Sequence, residues 1–248
     1  MSRFSLSAAI FLATAIVAAE DKKPEPPKVL LANPLGIAVG ATTKVTLRGL
    51  RLDGATEIKL PSETFTAKLL SSGKSTPPNG QDAKLAGDTQ AEIELTAPAD
   101  VPAGELELRL LTPAGESEVY KLFVGGDVPV VAEKEGNDGF KQAQELPAPC
   151  IVEGQIHGGQ NVDVFRVTPP ADAKLSAEVF AARRGSACDA LLTIYDDKGL
   201  LVTQQDDLPD SRDAKVEWQA SAGRTYYVVL QDALDQGGPA HPYRLLVR

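Results

Sequence analysis

The stretch Glu105-Leu106-Glu107-Leu108-Arg109-Leu110 alternates a charged side chain with a leucine over six positions. Successive side chains of a β-strand point to opposite faces, so this period of two buries the leucines and leaves the charges in water. The same alternation recurs at residues 44–50 and 91–95. Turn residues separate such segments about every 8–12 residues, as in β-sandwiches. The pattern predicts an all-β fold with half-buried strands.

The composition fits this prediction and excludes several classes of protein. The 248 residues include 21 Gly and 18 Pro, and 43% of them are hydrophobic, which suits short strands joined by tight turns around a core. A formal net charge of -9 argues against a nucleic-acid partner, because such proteins need a basic face. With only two His and two Cys, neither His-rich metal catalysis nor a disulfide-dense scaffold is expected.

Residues 1–19 have the layout of a secretory signal peptide. Arg3 precedes an uncharged apolar run over residues 4–18, and the small residues Val17 and Ala19 suit a cleavage site. The run is shorter than the ~20 residues that span a bilayer, although an uncleaved membrane anchor is the alternative. We therefore expect a secreted, periplasmic or cell-surface protein with no transmembrane anchor after cleavage.

Breaks in composition divide the remaining chain into two domains. Residues 20–28 are charged and Pro-rich and predict an extended linker. Residues 29–125 predict an immunoglobulin-like sandwich, residues 126–137 an acidic linker, and residues 138–248 a jelly-roll-like sandwich of eight antiparallel strands. Within residues 139–146 we expect about two helical turns, with Asn137 or Asp138 as N-cap.

Several motifs in the second half follow one another in the order of a known family. They are Glu133-x-Glu135-x-Asn137-Asp138-x-Phe140, Val162-Asp163-Val164-Phe165-Arg166-Val167, Asp189-x-Leu191-Leu192-x-Ile194-Tyr195-Asp196 and Gly223-x-Thr225-Tyr226-Tyr227. In these motifs the region of about residues 131–248 resembles the bacterial pre-peptidase C-terminal domain, which includes the collagen-binding domain of clostridial collagenases. The resemblance implies a secreted accessory module without catalysis of its own. No peptidase domain accompanies it here, so the usual client is missing from this chain.

The first half is similar to the IPT/TIG-type immunoglobulin-like domain over about residues 29–125. The motifs that carry this resemblance are Asn33-Pro34-x-Gly36, Gly40-x-Thr42 and Val45-Thr46-Leu47-x-Gly49. Glycines and alternating strand residues are common in sandwiches of every family, so these motifs are less specific than those of the second half.

The resemblance of the second half implies a calcium site, because the collagenase relatives bind calcium through acidic residues of the corresponding segment. Carboxylate and amide oxygens are the ligands that calcium prefers. The candidate ligands in this chain are Glu133, Glu135, Asn137, Asp138 and Asp163. Asn161 stands where many relatives have Asp, which puts the site in doubt. The alternative is a solvated linker whose Asn137 or Asp138 caps the short helix.

Other reactive side chains have simpler interpretations. A second acidic cluster is more typical of turn formation than of metal binding; it comprises Asp196, Asp197, Asp206, Asp207, Asp210 and Asp213. Cys150 and Cys188 are permitted to form a disulfide outside the cytoplasm, but sequence does not supply their separation. Trp218 alternates with Val216 and Ala220 and is expected in the core.

Taken together, these patterns predict a secreted, non-enzymatic binding or scaffolding protein, with calcium as a candidate stabiliser at the linker between its domains. The sequence contains no G-x-S-x-G, H-E-x-x-H, P-loop or dinucleotide fingerprint. Its partner is expected to be a protein, the extracellular matrix or a polysaccharide surface. The main alternative is an accessory subunit or chaperone-like partner of a separately encoded secreted hydrolase, which co-purification would reveal. A hydrolase is the third hypothesis, and a pocket with converging carboxylates or a Ser–His pair would favour it.

Overall fold

A computed structural model describes residues 24–77, 81–125 and 128–248, and it confirms the predicted all-β fold. The predicted signal peptide, residues 1–19, lies outside the described residues. Each half of the chain forms two facing sheets. Within the described residues, no helix is long and apolar enough to cross a membrane.

Two sheets form the first domain. The first sheet has the order β1-β3-β6-β5, and the second has the order β2-β9-β7-β4 with β8 paired to β7. The strands are β1 (Lys28–Asn33), β2 (Gly36–Ile37), β3 (Ala41–Leu50), β4 (Glu57–Lys59), β5 (Thr66–Lys74), β6 (Thr89–Ala97), β7 (Gly104–Thr112), β8 (Gly115–Glu116) and β9 (Tyr120–Val124). One short helix, α1 (Ala83–Ala86), precedes β6. The predicted alternation holds in β7, where Leu106, Leu108 and Leu110 are buried between the sheets.

The second domain pairs two five-stranded sheets. The inner sheet contacts the first domain and has the order β10-β12-β19-β14-β17. The outer sheet has the order β11-β13-β18-β15-β16. The strands are β10 (Val130–Ala132), β11 (Gln144–Glu145), β12 (Cys150–Gln155), β13 (Val162–Val167), β14 (Ala173–Phe180), β15 (Ala190–Asp196), β16 (Leu201–Gln205), β17 (Lys215–Ala220), β18 (Tyr226–Asp232) and β19 (Pro242–Val247). Most connections cross between the sheets, as in jelly rolls.

The segment that leads into the second domain differs from the prediction in two ways. Residues 130–132 fall within the predicted acidic linker, but they form β10, which pairs in parallel with β12. The predicted helix over residues 139–146 is wrong: this segment makes turns and then β11, which pairs in parallel with β13. The helix fails because Ala143 packs on the outer sheet beside Val164 and Val229, so tertiary contacts override local propensity.

An aromatic and ionic contact joins the two domains. Phe123 of β9 lies under two guanidinium groups of the second domain, with Arg184 at 3.8 Å and Arg244 at 4.8 Å from the ring centre. Phe180 meets the same ring edge-on at 5.4 Å. Arg244 also pairs with Glu153 and donates to the carbonyl oxygen of Gly125. Desolvated cation–π contacts of this kind are worth about 2 kcal/mol each, so they favour one fixed arrangement of the domains.

Gly36 shows why this contact demands a small residue. A Cβ atom at this position would lie 2.0 Å from the Arg244 guanidinium and 2.8 Å from the Cβ of Phe123. The Asn33-Pro34-x-Gly36 motif, which carries the resemblance to IPT/TIG domains, therefore also lies at the domain contact. Asn33 itself donates from its side chain to the side-chain oxygen of Gln155 in the second domain.

Candidate cation site

The predicted calcium ligands lie where the chain enters the second domain, and β10 fixes the start of this segment. The amide of Glu133 donates to the carbonyl oxygen of Glu153 at 2.9 Å, which extends the pairing of β10 with β12. The Gln144 side chain then bridges the backbone on both sides of Glu133, accepting from Lys134 N at 2.8 Å and donating to Ala132 O at 3.0 Å. Glu133 is therefore held by the sheet and is not part of a free linker.

Asn137 and Asp163 form the buried part of the site. The carbonyl oxygen of Asn137 accepts from Val164 N at 3.0 Å, so Asn137 lies directly beside the strand that carries Asp163. The two side chains are 1% and 0% exposed. Asn137 caps no helix, because the helix is not formed and its side chain points into the protein. Burial of both polar side chains excludes the solvated-linker alternative for this part of the segment.

Several buried polar atoms at this site have no hydrogen-bond partner among the described residues. They are Oε1 of Glu133, Oδ1 and Nδ2 of Asn137, and Oδ1 of Asp163. The other oxygen of Asp163 accepts from the Tyr243 hydroxyl at 2.6 Å. An unpartnered buried polar group costs roughly 1–3 kcal/mol, and folded proteins leave few of them. Three of these four atoms are oxygens, which an electropositive partner would satisfy, whereas Nδ2 of Asn137 is a donor.

The electrostatics of the site indicate the same deficit. Burial, opposed by the Tyr243 hydrogen bond and helped by repulsion from Glu133 and Glu135, raises the pKa of Asp163 to about 7. Burial also raises the pKa of Glu133 to about 7, with additional repulsion from Glu135 and Asp138. Carboxyl groups are crowded here, and a bound cation is one partner that would offset their mutual repulsion.

The exposed side of the site includes a histidine that sequence reasoning did not select. Glu133, Glu135 and His157 offer ligand atoms that all lie within 4.8 Å of one another, and His157 contacts Glu135 directly. Asp138 accepts from the Asn161 side chain at 3.2 Å, and Asn161 accepts in turn from the amide of His157 at 2.8 Å. His157 follows β12, so only the parallel pairing of β10 with β12 brings it here, and no local motif signals that pairing.

The five predicted ligands lie along residues 133–138 and the adjoining strand β13, and they are named here the entrance cluster: Glu133, Glu135, Asn137, Asp138 and Asp163. Of its carboxylates, only those of Glu133 and Glu135, together with His157, place ligand atoms within 4.8 Å of one another. Its oxygen-rich donor set fits calcium, which takes 6–8 oxygen ligands from carboxylates, amides and water. Two members are buried and three are at least partly exposed, which leaves water access to one side. Asn161, in the position where relatives often have Asp, supports the cluster by a hydrogen bond to Asp138.

Two members of the second acidic cluster accept hydrogen bonds from the backbone. Asp196 accepts from the amides of Lys198 and Leu200, each at 2.9 Å, and closes the turn between β15 and β16, as expected of a turn-forming Asp. Asp213 is fully buried and accepts from the amides of Ala181 and Ala182 at 2.9 and 2.6 Å. These two amides are distant in the chain, so Asp213 stabilises a tertiary contact and not a turn.

The remaining candidate residues lie in the core. Cys150 and Cys188 are free thiols, both 0% exposed. Burial raises the pKa of the Cys150 thiol to about 11 and the pKa of the Cys188 thiol still higher, so both stay protonated and unreactive. Trp218 is buried between the sheets, as the alternation predicted.

No protein-family model and no curated protein matches the sequence. Among solved structures, the chain is similar to the pre-peptidase C-terminal domain of a collagenase from Bacillus anthracis, with 15% identity and a TM-score of 0.35 over 43% of this chain and 94% of that chain. It is also similar to the secreted serine protease VesC from Vibrio cholerae, with 9% identity and a TM-score of 0.30 over 86% of this chain and 48% of that chain.

A third similar structure is the SGBP-B protein of a mixed-linkage glucan utilization locus from Bacteroides ovatus, in complex with a heptasaccharide. The identity is 10% and the TM-score 0.27, over 83% of this chain and 76% of that chain.

Proposed function

We propose that this chain is an exported, non-catalytic binding protein whose second domain binds one calcium ion at the entrance cluster. The observation that carries the proposal is the set of buried oxygens of Glu133, Asn137 and Asp163 without partners among the described residues. These three side chains would hold the ion from the protein side, and Glu135 and Asp138 would hold it from the solvent side. The ion would supply the positive charge that these carboxylates lack.

The role of the site is structural on this proposal. Glu133 follows β10 of one sheet, whereas Asp163 belongs to β13 of the other. Asn137 links them, since its carbonyl oxygen accepts from Val164 of β13. An ion bound by ligands from both sheets would hold residues 133–138 in place across the open end of the sandwich. Such binding stabilises the folded state in proportion to ligand occupancy.

One apolar cavity of the second domain supports a binding role. It has a volume of about 380 Å³, lies at one end of the domain and is lined by Pro147, Pro149, Pro169 and Pro170. Arg248 is the one charged residue in its lining. A site for hydrolysis needs converging groups that transfer protons, and this lining does not supply them. The proposal of export rests on the predicted signal peptide over residues 1–19.

Calcium titration of the protein without its signal peptide tests the proposal. We expect isothermal titration to show one calcium ion per chain and differential scanning calorimetry to show a melting temperature that rises with calcium. Asp163→Asn should abolish both responses, because Asp163 provides a buried unpartnered oxygen. Asp210→Ala, which removes an exposed carboxylate of the second acidic cluster, is the matched control and should respond like the wild type. No heat and no melting shift at millimolar calcium would refute the metal assignment.

A further inference from the structure

A row of side chains crosses the outer sheet of the second domain from one strand to the next. Arg166 of β13 lies directly opposite Tyr227 of β18, Tyr227 opposite Tyr195 of β15, and Tyr195 opposite Leu201 of β16. The alternate residues Ile194 and Val228 point into the core. Successive side chains alternate between faces, so the row lies on the solvent face of the sheet.

Phe140 lies over this row on the face of the sheet that points away from the core. Its ring stacks on Tyr227, with ring centres 4.3 Å apart and planes 17° apart, and it lies 5.4 Å from Tyr195. Phe140 is 38% exposed and Leu201 is 59% exposed, while the two tyrosines are half-buried. We name the four residues Phe140, Tyr227, Tyr195 and Leu201 the aromatic row. It offers an apolar surface across three neighbouring strands, in which Phe140 covers Tyr227 and the rings of Phe140 and Tyr195 are tilted by 58° to each other.

Ion pairs flank the aromatic row. At one side Arg166 pairs with Glu145 at 2.9 Å. At the other side Arg224 pairs with Asp197 at 2.5 Å and with Asp196 at 3.3 Å. Two guanidinium groups thus face three carboxylates, and they leave hydrogen-bond donors and acceptors beside the row. An acidic partner would be repelled by the extra carboxylate, whereas a neutral, hydroxyl-rich partner would find both donors and acceptors.

We propose that the aromatic row binds an extended, neutral, β-linked polysaccharide chain, an inference that rests on the proposed binding function and names its ligand class. Sugar rings with equatorial hydroxyls have apolar C–H faces, which would stack on Phe140 and Tyr195. Their hydroxyls would reach the Arg166–Glu145 and Arg224–Asp197 pairs at the margins. Rigid aromatic anchors with a few polar neighbours bind at low cost in side-chain entropy.

The same geometry links this surface to the entrance cluster. Phe140 follows Asp138 by two residues and Asn137 by three. The carbonyl oxygen of Asn137 accepts from Val164, and Leu146 N donates to Arg166 O at 3.0 Å, so both ends of this segment are fixed to β13. An ion at Asn137 and Asp138 would order the segment that presents Phe140. The affinity for polysaccharide should therefore rise when calcium is bound, because less ordering is left to the ligand.

Affinity measurements on the protein without its signal peptide test this proposal, with cellohexaose, xylohexaose and mannohexaose as the probes. In millimolar calcium we expect wild-type protein to bind at least one of these oligosaccharides. Phe140→Ala should weaken binding at least tenfold, and Phe140→Leu, which keeps an apolar side chain for packing, should weaken it similarly. Leu85→Ala, at a 76% exposed leucine of α1 in the first domain, is the control and should bind like the wild type. Chelation of calcium should weaken wild-type binding several-fold.

The outcomes separate this proposal from the calcium assignment. Calcium titration of Phe140→Leu should give the wild-type affinity, since Phe140 is not a ligand. Unchanged oligosaccharide affinity in both Phe140 variants would overturn the proposal. So would a wild-type protein that binds none of the three oligosaccharides at millimolar concentration, or one that binds gelatin through Phe140 instead. In each of these cases a normal calcium titration would leave the proposed cation site intact.

Discussion

Asp213 and Asp163 are both fully buried carboxylates of the second domain, yet their surroundings differ completely. Asp213 accepts from three backbone amides and pairs with the Arg183 side chain at 2.5 Å. Asp163 accepts from the Tyr243 hydroxyl alone and has one oxygen without a partner among the described residues. The contrast teaches that burial of an acidic residue does not define a site. A cation site is instead suggested by several buried oxygens that lack hydrogen-bond partners among the described residues.

The largest expected effect on the free energy of unfolding comes from Asp213, the carboxylate whose two oxygens both accept hydrogen bonds. Asp213→Ala leaves the amides of Ala181 and Ala182 and the Arg183 guanidinium without their acceptor. Removal of one partner of a buried ion pair costs about 3–5 kcal/mol. We expect a loss of this size in the free energy of unfolding, measured by denaturant titration, with and without calcium alike. A loss that calcium restores would show that the two clusters are not distinct.

At the entrance cluster, we expect one substitution to change the free energy of unfolding in opposite directions without and with calcium. Glu133→Gln removes a half-buried charge that repels Glu135 and Asp138, so in chelator it should stabilise the protein by about 1 kcal/mol. In saturating calcium it should instead destabilise the protein relative to wild type by about 2 kcal/mol, because a ligand is lost. Denaturant unfolding in the two conditions measures both values. The same sign in both would contradict the assignment of Glu133 as a ligand.

His241 tests whether an unpartnered buried atom is sufficient to mark a site. Both of its ring nitrogens lack partners among the described residues, and the nearest carboxylate oxygen, of Asp232, is 4.0 Å away. Burial lowers the pKa of His241 below 6.5, while Asp232 opposes this shift and Arg212 adds to it. The unfolded chain therefore takes up the proton first, so stability is present above pH ~6.5 and is lost as the pH falls below that value.

The corresponding measurement compares wild type with His241→Gln in saturating calcium between about pH 7.5 and pH 5. We expect the wild type to lose up to ~1.4 kcal/mol per pH unit more than the variant over the lower part of this range. Calcium affinity should be the same in both proteins, since no convergent oxygens surround His241. Equal pH profiles would contradict the predicted direction of the shift.

The smallest effect is expected from an exposed ion pair. Arg224 pairs with Asp197 and Asp196 on the surface, with 40% of its side chain exposed. Surface pairs contribute about 0.2–1 kcal/mol and are screened by salt. Arg224→Ala should therefore change the free energy of unfolding by less than ~0.5 kcal/mol, and the difference should vanish in molar salt. A larger, salt-independent loss would show that this acidic turn carries more of the fold than its hydrogen bonds indicate.

The strands and the chemistry of the entrance cluster could both be predicted from sequence, for different reasons. Alternation in segments such as residues 105–110 and 215–220 reports burial directly, since a strand with one dry face must repeat every two residues. The five calcium candidates came from a resemblance and from the preference of calcium for oxygen ligands. Nothing local revealed His157 or the aromatic row, because these depend on which strands are neighbours.

The helix predicted over residues 139–146 shows the limit of local reasoning. An acceptable N-cap and a suitable composition favoured a helix. Phe140 and Ala143 instead cover the outer sheet, and these tertiary contacts outweigh the weak local preference for a short helix. The segment is therefore held by Val164 and Arg166 of β13, and it places Asn137 just before the turn at residues 139–142 and Phe140 within that turn. Neither the cation site nor the aromatic surface would have this geometry if the helix had formed.

The sequence by itself determined that the chain is all-β, that it has two sandwiches, and which side chains face each core. Hydrophobic periodicity is a local property, because it depends only on residues that are neighbours in the chain. Only the tertiary structure decided that Glu133, Asn137 and Asp163 share one buried place, that Gly36 packs under Arg244, and that Tyr195 and Tyr227 lie side by side. Strand pairing joins residues far apart in the chain, and its register is fixed by the packing of the whole domain.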